Sequence, residues 1–255
     1  MKQLQGKILI PASIAAAVLL WQLVVMVWDF PAFILPTPLQ VAGRLAEALQ
    51  DGSLIRHTLV TLGEVISGLV IGLGTAVILG YWLAKLPWLE RILAPYIVAS
   101  QSVPVVAIAP LLVIWLGPGV FSKILITALI VFFPILVNVI VGVRAVSSDL
   151  HDLMRSFQAT RWQTLRYLEI PAAMPVFLGG LRIGATLAVI GAVVGEFVGA
   201  DRGLGFLINV GRGIYDTALV FVAVFTLVTL ALSIYALVSL LEKRLLAWQR
   251  RVGAG

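Results

Sequence analysis

Six apolar runs, each about twenty residues or longer, constrain this chain more than any other feature: Ile8–Val27, Leu59–Leu83, Ile92–Leu116, Ile124–Val143, Ala173–Val198 and Leu219–Leu241. Twenty helical residues rise roughly 30 Å, the thickness of a bilayer's hydrocarbon core. In lipid each backbone N–H and C=O must be satisfied within the protein, so only helices and closed barrels span. Barrel strands alternate apolar and polar residues over about ten positions. These runs are continuous and twice as long. The pattern predicts an all-α integral membrane protein with six transmembrane helices. Composition agrees: 61% of residues are hydrophobic and 12% charged, against about 25% charged in a soluble domain.

The first run follows Lys2 and Lys7, as a secretory signal would. It is longer than a signal's apolar region, and it ends in Val25-Met26-Val27-Trp28-Asp29 with no small-residue cleavage site. It reads as a retained span.

The net charge of +6 would suggest nucleic acid in a soluble protein. Here the basic residues gather at particular connections, which fits orientation in a bilayer instead, so no nucleic-acid partner is expected. With a cytoplasmic N-terminus, 13 of the 18 Lys+Arg fall on the inner side, from Lys2, Lys7, Lys85, Arg91 and Arg144 through Arg155, Arg161, Arg166 and Arg182 to Lys243, Arg244, Arg250 and Arg251. Only Arg44, Arg56, Lys123, Arg202 and Arg212 are left outside. Both termini are therefore expected on the cytoplasmic side of a cell membrane. On the outer side, Pro36-Thr37-Pro38 breaks the chain. Val41, Leu45 and Leu49 then recur at helical spacing, predicting an amphipathic helix along the interface.

The chain shows no chemistry of its own. Its one Gly-Lys pair, Gly6-Lys7, is followed by Ile8 and forms no phosphate loop. Neither His-Glu-x-x-His nor Gly-x-Ser-x-Gly occurs. Cysteine is absent, and His57 and His151 fall in connections on opposite faces. No metal site, no cofactor and no enzymatic activity are expected.

The exception to the apolar pattern is the polar, basic segment Asp149 to Pro171. Leu150, Leu153, Met154, Phe157 and Arg161 follow a spacing of i, i+3, i+4, i+7 and i+11, which puts four apolar side chains on one helical face. Such a stripe can pack on its own bundle or enter a groove of another protein. Sequence spacing alone leaves both open.

The segment resembles the EAA loop of binding-protein-dependent ABC importer permeases. Asp152-Leu153-Met154 stand at the Glu-Ala-Ala position and Gln158-Ala159-Thr160 where Gly-Ala-Ser is usual. Leu168-Glu169-Ile170-Pro171 with Pro175 match the ending. Gly180-Leu181-Arg182 and Val193-Val194-Gly195-Glu196-Phe197 continue the likeness, which runs from about Pro36 to Leu241 and includes Val103-Pro104-Val105 and Pro110-Leu111. At the family's glycine this chain has Gln158. Glycine permits positive φ at a tight turn, which glutamine adopts at a cost.

The resemblance implies a type I (MetI-like) permease fold. Residues 1–53 would form the first span and outer segment, 54–241 the transmembrane domain with a coupling loop at 144–172, and 242–255 a basic tail. It implies a coupling helix over about Asp149 to Thr160, with Leu150, Asp152, Leu153, Met154, Phe157, Gln158 and Ala159 docking a cytoplasmic ATPase that binds ATP and Mg. It implies a second permease, identical or not, two ATPase subunits and an extracytoplasmic binding protein. By resemblance the solute is a thiamine pyrimidine precursor or riboflavin, with sulfonate, taurine or nitrate next. A stand-alone secondary transporter or channel is the other reading, but it calls for relayed intramembrane charges and inverted repeats, which are not evident.

Polar residues inside the runs are few. Gln101, Ser102 and Asn138 can bond a solute in the pore or another helix, and Glu196 fits a gate, a helix pairing or the pathway. Glu64, about a turn inside the outer interface, reads as solvated or paired. Gly68 and Gly72, Gly180 and Gly184, and Gly191 and Gly195 form small-xxx-small pairs, suited to close packing within one chain or between two.

Overall fold

A computed structural model describes residues 2–247. All regular elements among them are helical: α1 (Lys2–Trp28), α2 (Pro38–Gln50), α3 (Ser53–Lys85), α4 (Pro87–Ser102), α5 (Val105–Leu116), α6 (Val120–Arg144), α7 (Ser148–Ser156), α8 (Arg161–Thr164), α9 (Ile170–Gly199), α10 (Leu204–Gly213) and α11 (Thr217–Leu245). A π turn, Leu165–Glu169, joins α8 to α9. The protein is an all-α integral membrane protein. α1, α3, α6, the α8–α9 stretch and α11 are each long and apolar enough to cross a bilayer.

The sixth span, over Ile92–Leu116, is broken, as its prolines Pro104 and Pro110 lead one to expect. It is a pair, α4 and α5, bent by 94° at Val103–Pro104. Pro104 lacks the N–H that would extend α4 and holds Val103 extended, so the helix stops and restarts.

The centre is a three-helix stack, α3 and α9 gripping α6 from either side. Val65, Ala76 and Leu83 of α3 meet Val131, Ile135, Leu136 and Val139 of α6 and Ala188, Val189 and Ala192 of α9. Glycine makes the approach close. A Cβ on Gly72 would stand 2.7 Å from the Ala128 carbonyl oxygen, and one on Gly191 would stand 2.7 Å from the Thr127 Cα. Both belong to the small-residue pairs of the sequence, and both pack within one chain.

A second core joins α2, α10, α11 and the start of α3 at the end of the bundle remote from α7. It holds Val41, Ala48, Leu54, Leu204, Leu207, Ile208, Val222 and Ala223. α2 begins at a capping box: Thr37 Oγ1 accepts from Gln40 N–H (3.2 Å), and Gln40 Oε1 accepts from Thr37 N–H (2.8 Å). The predicted stripe is only partly the buried face: Val41 is buried with Ala48, while Leu45 and Leu49 point outward. The reason is the Arg44 guanidinium, which donates to Asp216 at 2.7 Å and turns its own face inward. Asp216 in turn holds that guanidinium above its ordinary pKa. α1 stands apart, touching α11 where Trp21 stacks on Phe221 at 5.2 Å.

Lys123 and Arg182, assigned by sequence to connections, lie within membrane-spanning helices. Lys123, expected on the outer side, is buried in α6. Arg182 lies in α9, ion-paired with Glu242 and over the Tyr235 ring. The basic tail expected over 242–255 begins inside α11, and residues 248–255 lie outside the described residues.

Candidate functional site: a docking helix and an intramembrane cavity

α7 projects beyond α6 and α9, and none of its residues is buried. Leu150 (44% exposed), Leu153 (50%) and Phe157 (73%) lie open along it, with Met154 half-buried behind. Asp152 is exposed and pairs with Arg155 at 3.1 Å. Among the described residues this apolar stripe has no partner.

The helix is shorter than the Asp149–Thr160 expected. It ends at Ser156 in a Schellman motif, with Gln158 N–H donating to Arg155 O (2.9 Å) and Ala159 N–H to Met154 O (3.0 Å). The motif places Gln158 at φ +54°, in the left-handed region where glycine is favoured. Thr160 then opens α8 with a capping box to Gln163. Left-handed backbone costs a residue with a Cβ about 1–2 kcal/mol. Gln158→Gly is expected to raise the unfolding temperature of the detergent-solubilised protein slightly, glycine's greater unfolded-state entropy offsetting part of the gain. Gln158→Val should lower it, the two variants differing by roughly 2 kcal/mol. Equal unfolding temperatures for these variants would contradict the strain.

Behind α7, three elements meet at Glu169, buried at the end of the π turn. His151 of α7 contacts its Oε1 through Nε2 (3.2 Å), Tyr81 donates to its Oε2 (3.3 Å), and Lys85 forms an ion pair with it. α7 is thus tied to α3 and to the root of α9 through one carboxylate. Sequence reasoning missed this knot. The signal available was an acidic residue alone among Arg161, Arg166 and Arg182.

Beside the α4–α5 break lies an open cavity of about 570 Å³. Gln101 of α4 and Asn138 of α6 both line it. Asn138 Nδ2 donates to the Pro134 carbonyl at 2.8 Å. Ser102 does not line it; its hydroxyl donates to Val98 O at 3.1 Å. Glu196 lies elsewhere, 1% exposed at the far end of α9. Its Oε1 accepts from the Thr61 hydroxyl (2.6 Å) and its Oε2 from Gly205 N–H (2.5 Å). Thr61 accepts from Leu204 N–H (2.8 Å) and His57 Nδ1 from Gly203 N–H (2.9 Å). Three successive N–H groups at the start of α10 are therefore capped by side chains of α3 and α9, which satisfies donors a helix start leaves open. Glu64, paired rather than solvated, faces Lys123 at 3.5 Å, each side chain 2% exposed.

An exposed apolar helix, a broken span and a groove beside the break are the features a comparison with known proteins has to account for. Residues 68–247 match the family described as binding-protein-dependent transport system inner membrane component. The chain belongs to that family. This permease is 48% identical to the riboflavin transport system permease protein RibX of Chloroflexus aurantiacus over 240 residues, covering 94% of this chain and 90% of that one. It is 35% identical to the formylaminopyrimidine transport permease protein ThiX of Halalkalibacterium halodurans, covering 91% and 95%. It is 30% identical to the putative aliphatic sulfonates transport permease protein SsuC of Bacillus subtilis, covering 95% and 87%. It is a multi-pass inner-membrane permease subunit of an ABC importer, and its family works with ATPase and binding-protein partners.

Proposed function

We propose that the permease carries riboflavin, delivered by an extracytoplasmic binding protein, through a complex of two permease copies and two ATPase subunits. The observation that carries the substrate is the 48% identity to a riboflavin permease, sustained over nearly the whole chain. α7 faces the cytoplasm with both termini and seats Leu150, Leu153 and Phe157 in a groove of the ATPase, Asp152, Gln158 and Ala159 lying at its edge. ATP and Mg bind to the ATPase, and its closure moves α7, the energy coming from that partner because a state change needs a ligand that distinguishes the states. The solute passes the α4–α5 break, where irregular backbone at membrane depth is tolerated because it lines a cavity. Of the sequence's pathway candidates, Gln101 and Asn138 keep that role in this reading. Ser102 serves α4, and Glu196 anchors α10.

A second reading, a thiamine pyrimidine precursor, draws on the 35% identity to the formylaminopyrimidine permease. The two separate in proteoliposomes holding the complete importer, with binding protein outside and ATP within. Riboflavin is expected to accumulate in an ATP-dependent manner, and excess formylaminopyrimidine to leave its uptake unchanged. Uptake of the pyrimidine without riboflavin would reverse the assignment.

A further inference from the structure

The cavity beside the α4–α5 break has the make-up of a ligand site. Its volume of about 570 Å³ lies among small-molecule sites, about 300–1,000 Å³, which are mostly apolar with a few placed polar groups. Leu129, Ile130, Phe133 and Val137 of α6 face Val105 and Val106 of α5 across it. Two carboxamides interrupt this apolar lining, Gln101 and Asn138, from different helices.

Their hydrogen-bonding capacity is largely unspent. Asn138 uses one N–H on the Pro134 carbonyl, which fixes the amide's orientation and leaves the other N–H and Oδ1 available. Gln101 is exposed in the single chain and makes no hydrogen bond among the described residues. It stands roughly 20 Å along α4 from Pro87, at membrane depth. An unpaired carboxamide against lipid is costly, so this face meets water or a polar ligand instead.

We propose that Gln101 and Asn138 read the edge of a planar, amphipathic heterocycle whose carbonyl and N–H groups alternate, while Phe133 and its aliphatic neighbours cover the ring's faces. A carboxamide offers both a donor and an acceptor and matches such an edge without a charge. The imide edge of the riboflavin ring system has this pattern, and in that respect the inference rests on the function proposed above.

The test uses the complete importer in proteoliposomes, with riboflavin and with riboflavin methylated at the imide nitrogen, each preloaded on the binding protein to saturation. Gln101→Leu and Asn138→Leu are each expected to lower riboflavin uptake about tenfold, while ATP hydrolysis stimulated by the loaded binding protein persists. The wild type should carry the methylated ring about tenfold more slowly than riboflavin, and the leucine variants should carry both alike. Gln101 is exposed and unbonded, so its leucine variant leaves the bundle intact; wild-type uptake by that variant would overturn the proposal. So would an Asn138→Leu variant that loses uptake and stimulated hydrolysis together, since that marks a structural role. An importer that carries no riboflavin overturns the substrate reading and this inference with it. A working riboflavin importer indifferent to both substitutions overturns only the inference.

Discussion

Replacing Leu153 and Phe157 together with Asp is expected to release the ATPase while leaving the membrane bundle inserted and folded. Both side chains are at least half exposed on α7 and make no contribution to either core, so their loss removes nothing the chain itself depends on. At an interface, buried apolar anchors cost 2 kcal/mol or more each when truncated, and a carboxylate in their place adds an unpaired charge. Two such changes amount to roughly 4 kcal/mol, or about a thousandfold in affinity. With the tag on the permease, the ATPase should no longer co-purify and ATP-driven uptake should cease. An unchanged ATPase yield from the doubly substituted permease would remove α7 from the docking role.

The second large effect is expected at Lys123. It lies with Glu64 and Glu196 in a site closed by α3, α6, α9 and α10, all three 2% exposed or less. Lys123→Met removes the only cation of that group and leaves buried carboxylates uncompensated. Breaking a buried pair from one side costs about 3–5 kcal/mol, whereas replacing both partners can be nearly neutral. The single variant should unfold at a markedly lower temperature in detergent, and adding Glu64→Gln should recover most of the loss. A double-mutant cycle on the unfolding temperature gives the coupling. If Lys123→Met alone unfolds with the wild type, the pair contributes nothing to the fold.

The spans were legible because length and apolarity are local properties that the bilayer itself demands. The stripe of Leu150, Leu153 and Phe157 was legible in its helical spacing, but that it stays exposed on its own bundle was not, because burial depends on where α7 lies in the fold. The break at Pro104 was visible as a proline pair, but its size was not: a 94° bend depends on what α5 packs against, and Ala109 and Val113 pack with Ile126 of α6. Lys123 was misplaced for a related reason. A charge-counting rule assigns a lysine near a helix end to water, and only the fold reveals a carboxylate of another helix, Glu64 of α3, turned toward it. Gln158 shows the reverse case. Its position in the loop pattern identified a residue that needs positive φ, and the Schellman motif supplies the reason.

The 33-residue helix α3 carries knots at both ends. Near one end, Tyr81 and Lys85 fasten to Glu169, which also holds His151 of α7. Near the other, His57 and Thr61 hold the first amides of α10. His57 and Lys85 are separated by roughly 40 Å of unbroken helix, and no proline interrupts it. α3 is therefore a connecting rod: if an ATPase seats on α7 as proposed, a displacement imposed there is expected to reach the opposite end of the bundle without an intervening joint.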